Sequence, residues 1–146
     1  MALQKIKGNA AMFLVIAFLV TGVVAIGAQF ITSPGGGAPV KVKVPPLSPQ
    51  AVAGRGVFEE NCQACHGANG SGSEQGPPLV HDIYNPGHHD DYAFLRAAQT
   101  GTPQHHWPFG DMPAQPQVSP EQVAHIVRYV RELQQANGIF YKPHTM

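Results

Sequence analysis

Five consecutive residues, Cys62-Gln63-Ala64-Cys65-His66, constrain this chain more than any other feature. The spacing C-x-x-C-H is the one that attaches a c-type haem. Two thiols on one helical turn can reach the two vinyl groups of a single haem, while the adjacent histidine lies beneath the iron. The chain contains no other cysteine. The motif therefore predicts one covalent haem whose proximal ligand is His66.

Three other interpretations of the two cysteines stay open. A dithiol redox motif is expected where a strand enters a helix, and no such strand is predicted before Cys62. A zinc site would need two further ligands at an H-x3-5-H spacing, which the later histidines lack. A disulfide would account for both cysteines but would leave His66 without a role. The pattern as a whole favours haem attachment.

Residues 10–31 carry no charge and are rich in large apolar side chains. As a helix they would span about 33 Å, enough to cross the hydrocarbon core of a bilayer. A signal peptide is the alternative, since Ala25-Ile26-Gly27 resembles a small-x-small cleavage site, but the apolar run is longer than a signal peptide requires. Lys5 and Lys7 precede it. The positive-inside rule then predicts a cytoplasmic N-terminus at residues 1–9 and a transmembrane anchor at residues 10–31.

Residues 32–47 are rich in glycine at their start and in proline at their end. Glycine makes a linker flexible and proline stiffens it, which predicts a flexible linker with a reach of roughly 20 to 50 Å. The remaining residues, 48–146, form the predicted folded domain. This domain has five basic residues against nine acidic ones, a net charge of −4. It lacks the basic stripe of nucleic-acid-binding proteins, so nucleic acid is excluded as a partner.

The domain is predicted to contain short helices and no paired strands. Ser48 as N-cap and Pro49 at the first helical position open a helix that runs into the cysteines. A second helix begins at Asp90 and is stopped by the segment 100–103. Glycine and serine between these helices indicate loops.

The last helix has the strongest sequence signals. Ser119 is its predicted N-cap, Gln122 completes a capping box, and Gly138 follows its C-terminus. Arg128, Arg131 and Glu132 are predicted to point to water. The apolar positions repeat every three or four residues and predict one buried face: Val123, Ile126, Val127, Val130 and Leu133.

Together these features resemble class I c-type cytochromes over nearly all of residues 48–138. The matching elements are Gly54-x-x-x-Phe58, Cys62-x-x-Cys65-His66-Gly67, Gly76-Pro77-Pro78-Leu79, Met112-Pro113 and a C-terminal helix with Tyr129. The resemblance implies an all-α fold: a small cytochrome c-like helical domain around one covalent haem, here preceded by a single N-terminal transmembrane helix.

The resemblance also implies roles for individual residues. Cys62 and Cys65 would form the thioethers, and His66 would be the proximal ligand. The Pro77 carbonyl would accept the proton of the other His66 ring nitrogen, which fixes the ring orientation. Leu79 would pack on the haem face.

The same resemblance makes Met112 the distal ligand. A thioether ligand favours ferrous iron and raises the reduction potential. The alternative is that Met112 fills a gap in the core, which methionine commonly does. Gly54 and Phe58 would contact the last helix near Tyr129.

The chain departs from the family in its histidines. Seven occur besides His66, and two adjacent pairs lie in predicted loops: His81, His88, His89, His105, His106, His125 and His144. They can be solvated or bonded to haem propionates. They can also form a copper site or supply an alternative haem ligand, because imidazole binds both metals.

The expected function is that of an electron carrier and not an enzyme, since iron with both axial positions filled has no open position for a substrate. The carrier would sit on a bacterial inner membrane as a single-pass protein, with its haem domain in the periplasm. It would pass single electrons between redox proteins, for example in a respiratory chain. The alternatives are a fixed cytochrome c subunit of a larger membrane oxidoreductase and a haem- or copper-binding module.

Overall fold

The computed structural model describes residues 39–143 without a gap and, nearer the N-terminus, Met12, residues 14–16 and residues 18–19. The chain divides into two compact units, Met1–Pro34 and Gly35–Met146. The described residues of the first unit are helical, and each is between 47% and 79% exposed. The predicted N-terminus, 1–9, and most of the predicted anchor, 10–31, lie outside the described residues. No helix formed by the described residues has the length and apolar character needed to cross a membrane.

The described part of the second unit contains four helices. They are α1 (Pro49–Asn61), α2 (Gln63–His66), α3 (Asp91–Thr100) and α4 (Pro120–Ala136), with short 3-10 turns at Ala68–Gly70 and Asp82–Tyr84. Between residues 39 and 143 there is no strand, and only one isolated antiparallel bridge joins Thr102 to Met112. The predicted helical fold is confirmed over this range.

The helices begin where their capping residues predict. The side chains of Ser48, Asp90 and Ser119 cap α1, α3 and α4. At α4 the capping box is complete: the Gln122 backbone N–H donates to Ser119 Oγ at 3.2 Å, and the Ser119 N–H donates to Gln122 Oε1 at 2.8 Å. Each cap contributes about 1 kcal/mol because it satisfies backbone groups that the helix leaves unpaired.

The core of the domain lies where α1 crosses α4. Gly54 on α1 is buried against the backbone of His125, and a Cβ at this position would overlap the His125 carbonyl. Phe58 packs on Tyr129 with ring centroids 5.6 Å apart, and both side chains are fully buried. Burial of each ring stabilises the fold by about 1.5 to 3 kcal/mol. The expected contact of Gly54 and Phe58 with the last helix is therefore present.

The predicted apolar face of α4 is buried, but two charged residues beside it do not point to water as predicted. Arg131 is 8% exposed and donates hydrogen bonds to the carbonyls of Tyr84 at 2.8 Å and His89 at 2.6 Å. The Glu132 side chain is 12% exposed and accepts a hydrogen bond from the Ser48 N–H at 3.0 Å. Both predictions were wrong because segments distant in sequence cover this side of the helix.

Residues 39–47, the described part of the predicted linker, lie along the domain. Val42 and Leu47 pack against its core. The backbone of Lys43 donates to Asn137 Oδ1 at 2.9 Å, and Asn137 Nδ2 donates to the Lys43 carbonyl at 2.8 Å. This segment is therefore bound at its middle to the C-terminal end of α4.

Candidate haem site

The cysteine motif forms one turn at the end of α1. The Cys62 N–H donates to the Phe58 carbonyl at 2.8 Å, and the His66 N–H donates to the Cys62 carbonyl at 2.9 Å. Cys62 is half-buried, whereas Cys65 is exposed, and the two sulfurs are not joined to each other. One helical turn, fixed by backbone hydrogen bonds, thus carries both thiols and the imidazole.

The environment of Cys62 is unlike that of a reactive dithiol. Burial, with a smaller effect of Cys65, raises the pKa of the Cys62 thiol to about 11. Reactive dithiols and thiolate metal ligands lie where their pKa is lowered. The surroundings of Cys62 therefore fit attachment through a neutral thiol better than redox or zinc chemistry.

The orientation of His66 is set by one hydrogen bond. Its Nδ1 lies 2.9 Å from the carbonyl oxygen of Pro77. Because a carbonyl can only accept, Nδ1 carries the proton and Nε2 keeps its lone pair. Burial lowers the pKa of His66, against the opposing effect of the Pro77 carbonyl, so the imidazole is neutral. A neutral, oriented imidazole with a free Nε2 is what an axial iron ligand requires.

Loops with little space for side chains support the motif. Gly76 lies so close to Cys65 that a Cβ would be 2.8 Å from the Cys65 carbonyl oxygen. The Tyr129 hydroxyl donates to Asn69 Oδ1 at 2.8 Å, which joins the loop after the motif to α4. Asn69 has a positive φ of 55°, a conformation that asparagine tolerates better than most residues.

Met112 is half-buried, and its backbone is fixed by Thr102. The Thr102 N–H donates to the Met112 carbonyl at 3.0 Å, and the Met112 N–H donates to the Thr102 carbonyl at 2.9 Å. Gly101 makes this close pairing possible, since it has a φ of 73° and a Cβ there would be 2.6 Å from the Met112 carbonyl oxygen. The position of Met112 is thus fixed by its backbone.

A largely apolar cleft brings these parts together. It encloses about 1110 Å³ between the protein atoms, including the solvent at its mouth. Cys62, His66, Pro77, Leu79 and Met112 all line it, and Cys65 lies exposed outside its lining. Five of the six residues predicted to bind the cofactor therefore meet at one site.

Trp107 and Tyr84 were not predicted as site residues, although both line the cleft. Within the described part of the chain, the Trp107 indole N–H is buried and makes no hydrogen bond of good geometry. Burial raises the pKa of the nearby Tyr84 hydroxyl to about 12, and the indole opposes part of that rise. A buried donor with no good acceptor fits a group that brings carboxylates, as haem does with its propionates. The only sequence signal was the position of the single tryptophan in a loop before Met112.

The remaining histidines do not all lie at the cleft. The His81 ring accepts a hydrogen bond from the Ile83 N–H at 3.2 Å and so caps a 3-10 turn. His89, His105 and His106 line the cleft that Met112 also lines. The pKa of His106 is lowered mainly by burial and, to a smaller extent, by the neighbouring imidazoles. The pKa of His89 is also lowered, because its burial outweighs the opposing effect of the hydrogen bond to the Ile83 carbonyl. His125 is half-buried on α4, and His144 lies outside the described residues.

The helical fold and the cleft define a small haem-binding domain with a covalent attachment motif. The family model for cytochrome c matches residues 51–134, which is more than half of the chain. The chain belongs to the cytochrome c family, and it accordingly binds haem c covalently and has a haem-based role in electron transfer. Comparisons with curated proteins and with solved structures gave no match.

Proposed function

We propose that the chain is a membrane-tethered electron carrier with a six-coordinate haem, held between His66 and Met112, that faces the periplasm. The observation that carries this proposal is that both residues line one apolar cleft. The Pro77 carbonyl orients the His66 ring, and two hydrogen bonds with Thr102 hold the backbone of Met112. Ligands held in this way would change position little between the two oxidation states, as fast electron transfer requires.

Each proposed haem contact has a definite task. Cys62 and Cys65 would form the thioethers, His66 Nε2 and the Met112 sulfur would be the axial ligands, and Leu79 would cover the haem face. The bound haem supplies a one-electron centre. With His66 and Met112 both bound to the iron, no position would be open to a substrate, so the domain would transfer electrons without turnover chemistry. Methionine on the distal side raises the reduction potential.

The exposed apolar residues of the first unit support membrane tethering. Met12, Leu14 and Phe18 are 53%, 73% and 79% exposed. Apolar helical surface of this kind is stable in a lipid environment. With Lys5 and Lys7 before it, an anchor at residues 10–31 would place the haem domain on the periplasmic side of an inner membrane.

The acidic domain favours partners with a basic docking surface. Residues 48–146 carry a net charge of −4. Opposite charges accelerate encounter, and salt weakens this effect as it shortens the Debye length. The proposed donor and acceptor are redox proteins with basic faces, so electron transfer to them slows as ionic strength rises.

The proposal is tested first at the iron. Met112→Leu is expected to remove the near-infrared band of a methionine-to-iron bond and to lower the reduction potential, while Met12→Leu leaves both unchanged. Wild-type ferrous protein is expected not to bind carbon monoxide. A wild type that lacks the band, or that binds carbon monoxide readily, would rule out His66 and Met112 as the ligand pair.

The anchor is tested by fractionation and topology. The full chain is expected to stay with membranes after a high-salt wash, and a chain lacking residues 1–31 is expected to be released. Proteolysis of spheroplasts from outside is expected to degrade the haem domain. A full chain recovered in the soluble fraction, or a protected haem domain, would contradict this part of the proposal.

A fixed subunit of a larger membrane oxidoreductase is the second candidate. Hydrogen bonds between Lys43 and Asn137 hold residues 39–47 on the domain. These contacts shorten the free part of the tether, and a shorter tether limits the reach of the domain, which favours a fixed subunit. Purification in a mild detergent separates the two candidates. A mobile carrier is recovered alone, whereas a subunit is recovered in constant ratio with its partners.

A further inference from the structure

Two histidine pairs from different segments meet at the cleft, which is lined by His89, His105 and His106. The Nε2 atoms of His88 and His106 are 3.2 Å apart. One ring nitrogen from each of His88, His89 and His106 lies within 4.8 Å of the others. His105 lies beside them, with ring centroids 4.3 Å from His106 and 5.8 Å from His89. Four imidazoles therefore lie close together, and none of them is a proposed haem ligand.

Backbone carbonyls select the tautomer of two of these rings. His89 Nδ1 lies 2.8 Å from the Ile83 carbonyl oxygen, and His105 Nδ1 lies 2.8 Å from the Pro103 carbonyl oxygen. Each carbonyl accepts the proton on Nδ1, so the lone pair of Nε2 stays available. Metal-binding histidines commonly have this second hydrogen bond, which fixes both the tautomer and the ring direction.

The first pair is held in place by a buried guanidinium. The N–H groups of His88 and His89 donate to the Asn85 carbonyl at 3.0 Å and 2.9 Å. Arg131 donates to the His89 carbonyl at 2.6 Å. The segment that carries these rings is thus fixed from the core of the domain.

The second pair lies on a loop with bonds of its own. The Gln104 N–H donates to Asp111 Oδ1 at 2.9 Å, and the Gly110 N–H donates to Gln104 Oε1 at 2.6 Å. The side chains of His105 and His106 therefore project from a loop that is closed before any ion binds. Ligands that are already positioned lose little conformational entropy on binding.

We propose that His88, His89 and His106 bind one Cu²⁺ ion, with His105 placed to complete its coordination. A site made only of imidazole nitrogens suits Cu²⁺, Zn²⁺ and Ni²⁺ in preference to Mg²⁺ or Ca²⁺. Among the divalent ions of the first transition row, Cu²⁺ binds such ligands most tightly. The site uses none of the residues assigned to the haem iron.

The experiment uses the full, haem-loaded chain, treated with a chelator and then titrated with Cu²⁺ against a competing chelator. One Cu²⁺ per haem is expected, with nitrogen hyperfine splitting from at least three imidazoles in its electron paramagnetic resonance spectrum. Zn²⁺ alone is expected to bind more weakly and to be displaced by Cu²⁺. Sub-stoichiometric copper, a spectrum without imidazole nitrogens, or tighter binding of Zn²⁺ would overturn the proposal.

Variants provide the second measurement. His88→Ala and His106→Ala are each expected to weaken Cu²⁺ binding by at least about tenfold. His125→Ala, a histidine on α4 outside the cluster, is the matched control and is expected to bind as the wild type does. Equal affinity in all three variants would refute the site.

The haem spectrum distinguishes this proposal from the function proposed above. In the haem-loaded, copper-free protein, His106→Ala and His105→Ala are expected to keep the near-infrared methionine band of the wild type. Should either substitution instead change the axial ligation of the haem in the copper-free protein, the histidine is a haem ligand and the copper site is lost. Failure of copper binding with the band intact leaves His66 and Met112 ligation unaffected.

Discussion

Gly54 lies directly against the carbonyl group of His125, at the point where α1 crosses α4. A Cβ at Gly54 would overlap this carbonyl. One turn later the Phe58 ring packs against the Tyr129 ring at a tilt of 60°. Since α1 runs straight into the cysteine motif, the closeness of this crossing determines where Cys62 lies.

Replacing Gly54 with alanine is expected to destabilise the domain by about 2 kcal/mol or more, because the backbones must separate and the core overpacks. The measurement is urea unfolding of the haem-loaded domain. Gly56 is a matched control in the same helix, with nothing within 4 Å of an added Cβ. Gly56→Ala is expected to stabilise by about 0.5 to 1 kcal/mol. Equal effects of the two substitutions would contradict the crossing geometry.

Gly101→Ala is expected to disturb the proposed methionine ligation. The new methyl group would meet the Met112 carbonyl, and the backbone conformation of Gly101, with φ 73° and ψ 178°, adds about 1 to 3 kcal/mol of strain for any other residue. The near-infrared methionine band is expected to weaken and the reduction potential to fall. Gly110 has a φ of 83° and open space around it, so Gly110→Ala carries the strain alone and keeps the band. Loss of the band in both variants would show that strain, and not contact with Met112, is responsible.

Arg131→Met is expected to destabilise the domain by about 3 kcal/mol, because the carbonyls of Tyr84 and His89 lose a buried charged donor. Thermal unfolding of the haem-loaded protein measures the loss. Arg55 forms an exposed ion pair with Glu59 in α1, and Arg55→Met is expected to cost less than about 1 kcal/mol. A small effect at Arg131 would mean that water replaces its hydrogen bonds.

Glu132→Gln is expected to change the pH dependence of stability. Burial alone would raise the pKa of Glu132, but hydrogen bonds from Ser48 and Arg128 outweigh it and lower the pKa below the usual 4.5. A lowered pKa stabilises the fold fully above about pH 5, and this contribution is lost as pH falls through the folded value. The variant is therefore expected to be less stable than the wild type by roughly 1 kcal/mol at pH 7, with the difference shrinking below pH 4.5.

Urea unfolding at a series of pH values measures this dependence. Glu59→Gln removes a carboxylate from an exposed ion pair and serves as the control. A difference at Glu132 that grows as the solution becomes more acidic would contradict the assigned direction.

Features that depend on neighbours in sequence were predictable. The caps at Ser48, Asp90 and Ser119 and the order of the helices follow from local rules, and so does the proposed haem attachment at Cys62 and Cys65. Each of these signals lies within a few residues of the structure it specifies. Local hydrogen bonding, such as that of a capping side chain, is sufficient to predict these features.

Features that depend on distant partners, and that the family resemblance does not cover, were not predictable. Arg131 carries a charge on a surface position of an amphipathic pattern, and only the approach of Tyr84 and His89 buries it. The two histidine pairs were visible in the sequence, but nothing local indicated that His88 and His106 would lie 3.2 Å apart. The family resemblance predicted the haem residues, but it did not predict the contacts of Arg131 or of the histidine pairs.

The paired backbone bonds between Thr102 and Met112 have a consequence for how such a domain can diversify. They close residues 103–111 into a loop whose two ends are tied to each other. Residues within the loop can then be exchanged, inserted or deleted while the methionine keeps its place, because loop length adds little to the entropy of closure. The Thr102–Met112 pairing can therefore stay constant while the sequence of the loop between them varies. Such a loop can carry new side chains, such as those of His105 and His106, without moving Met112.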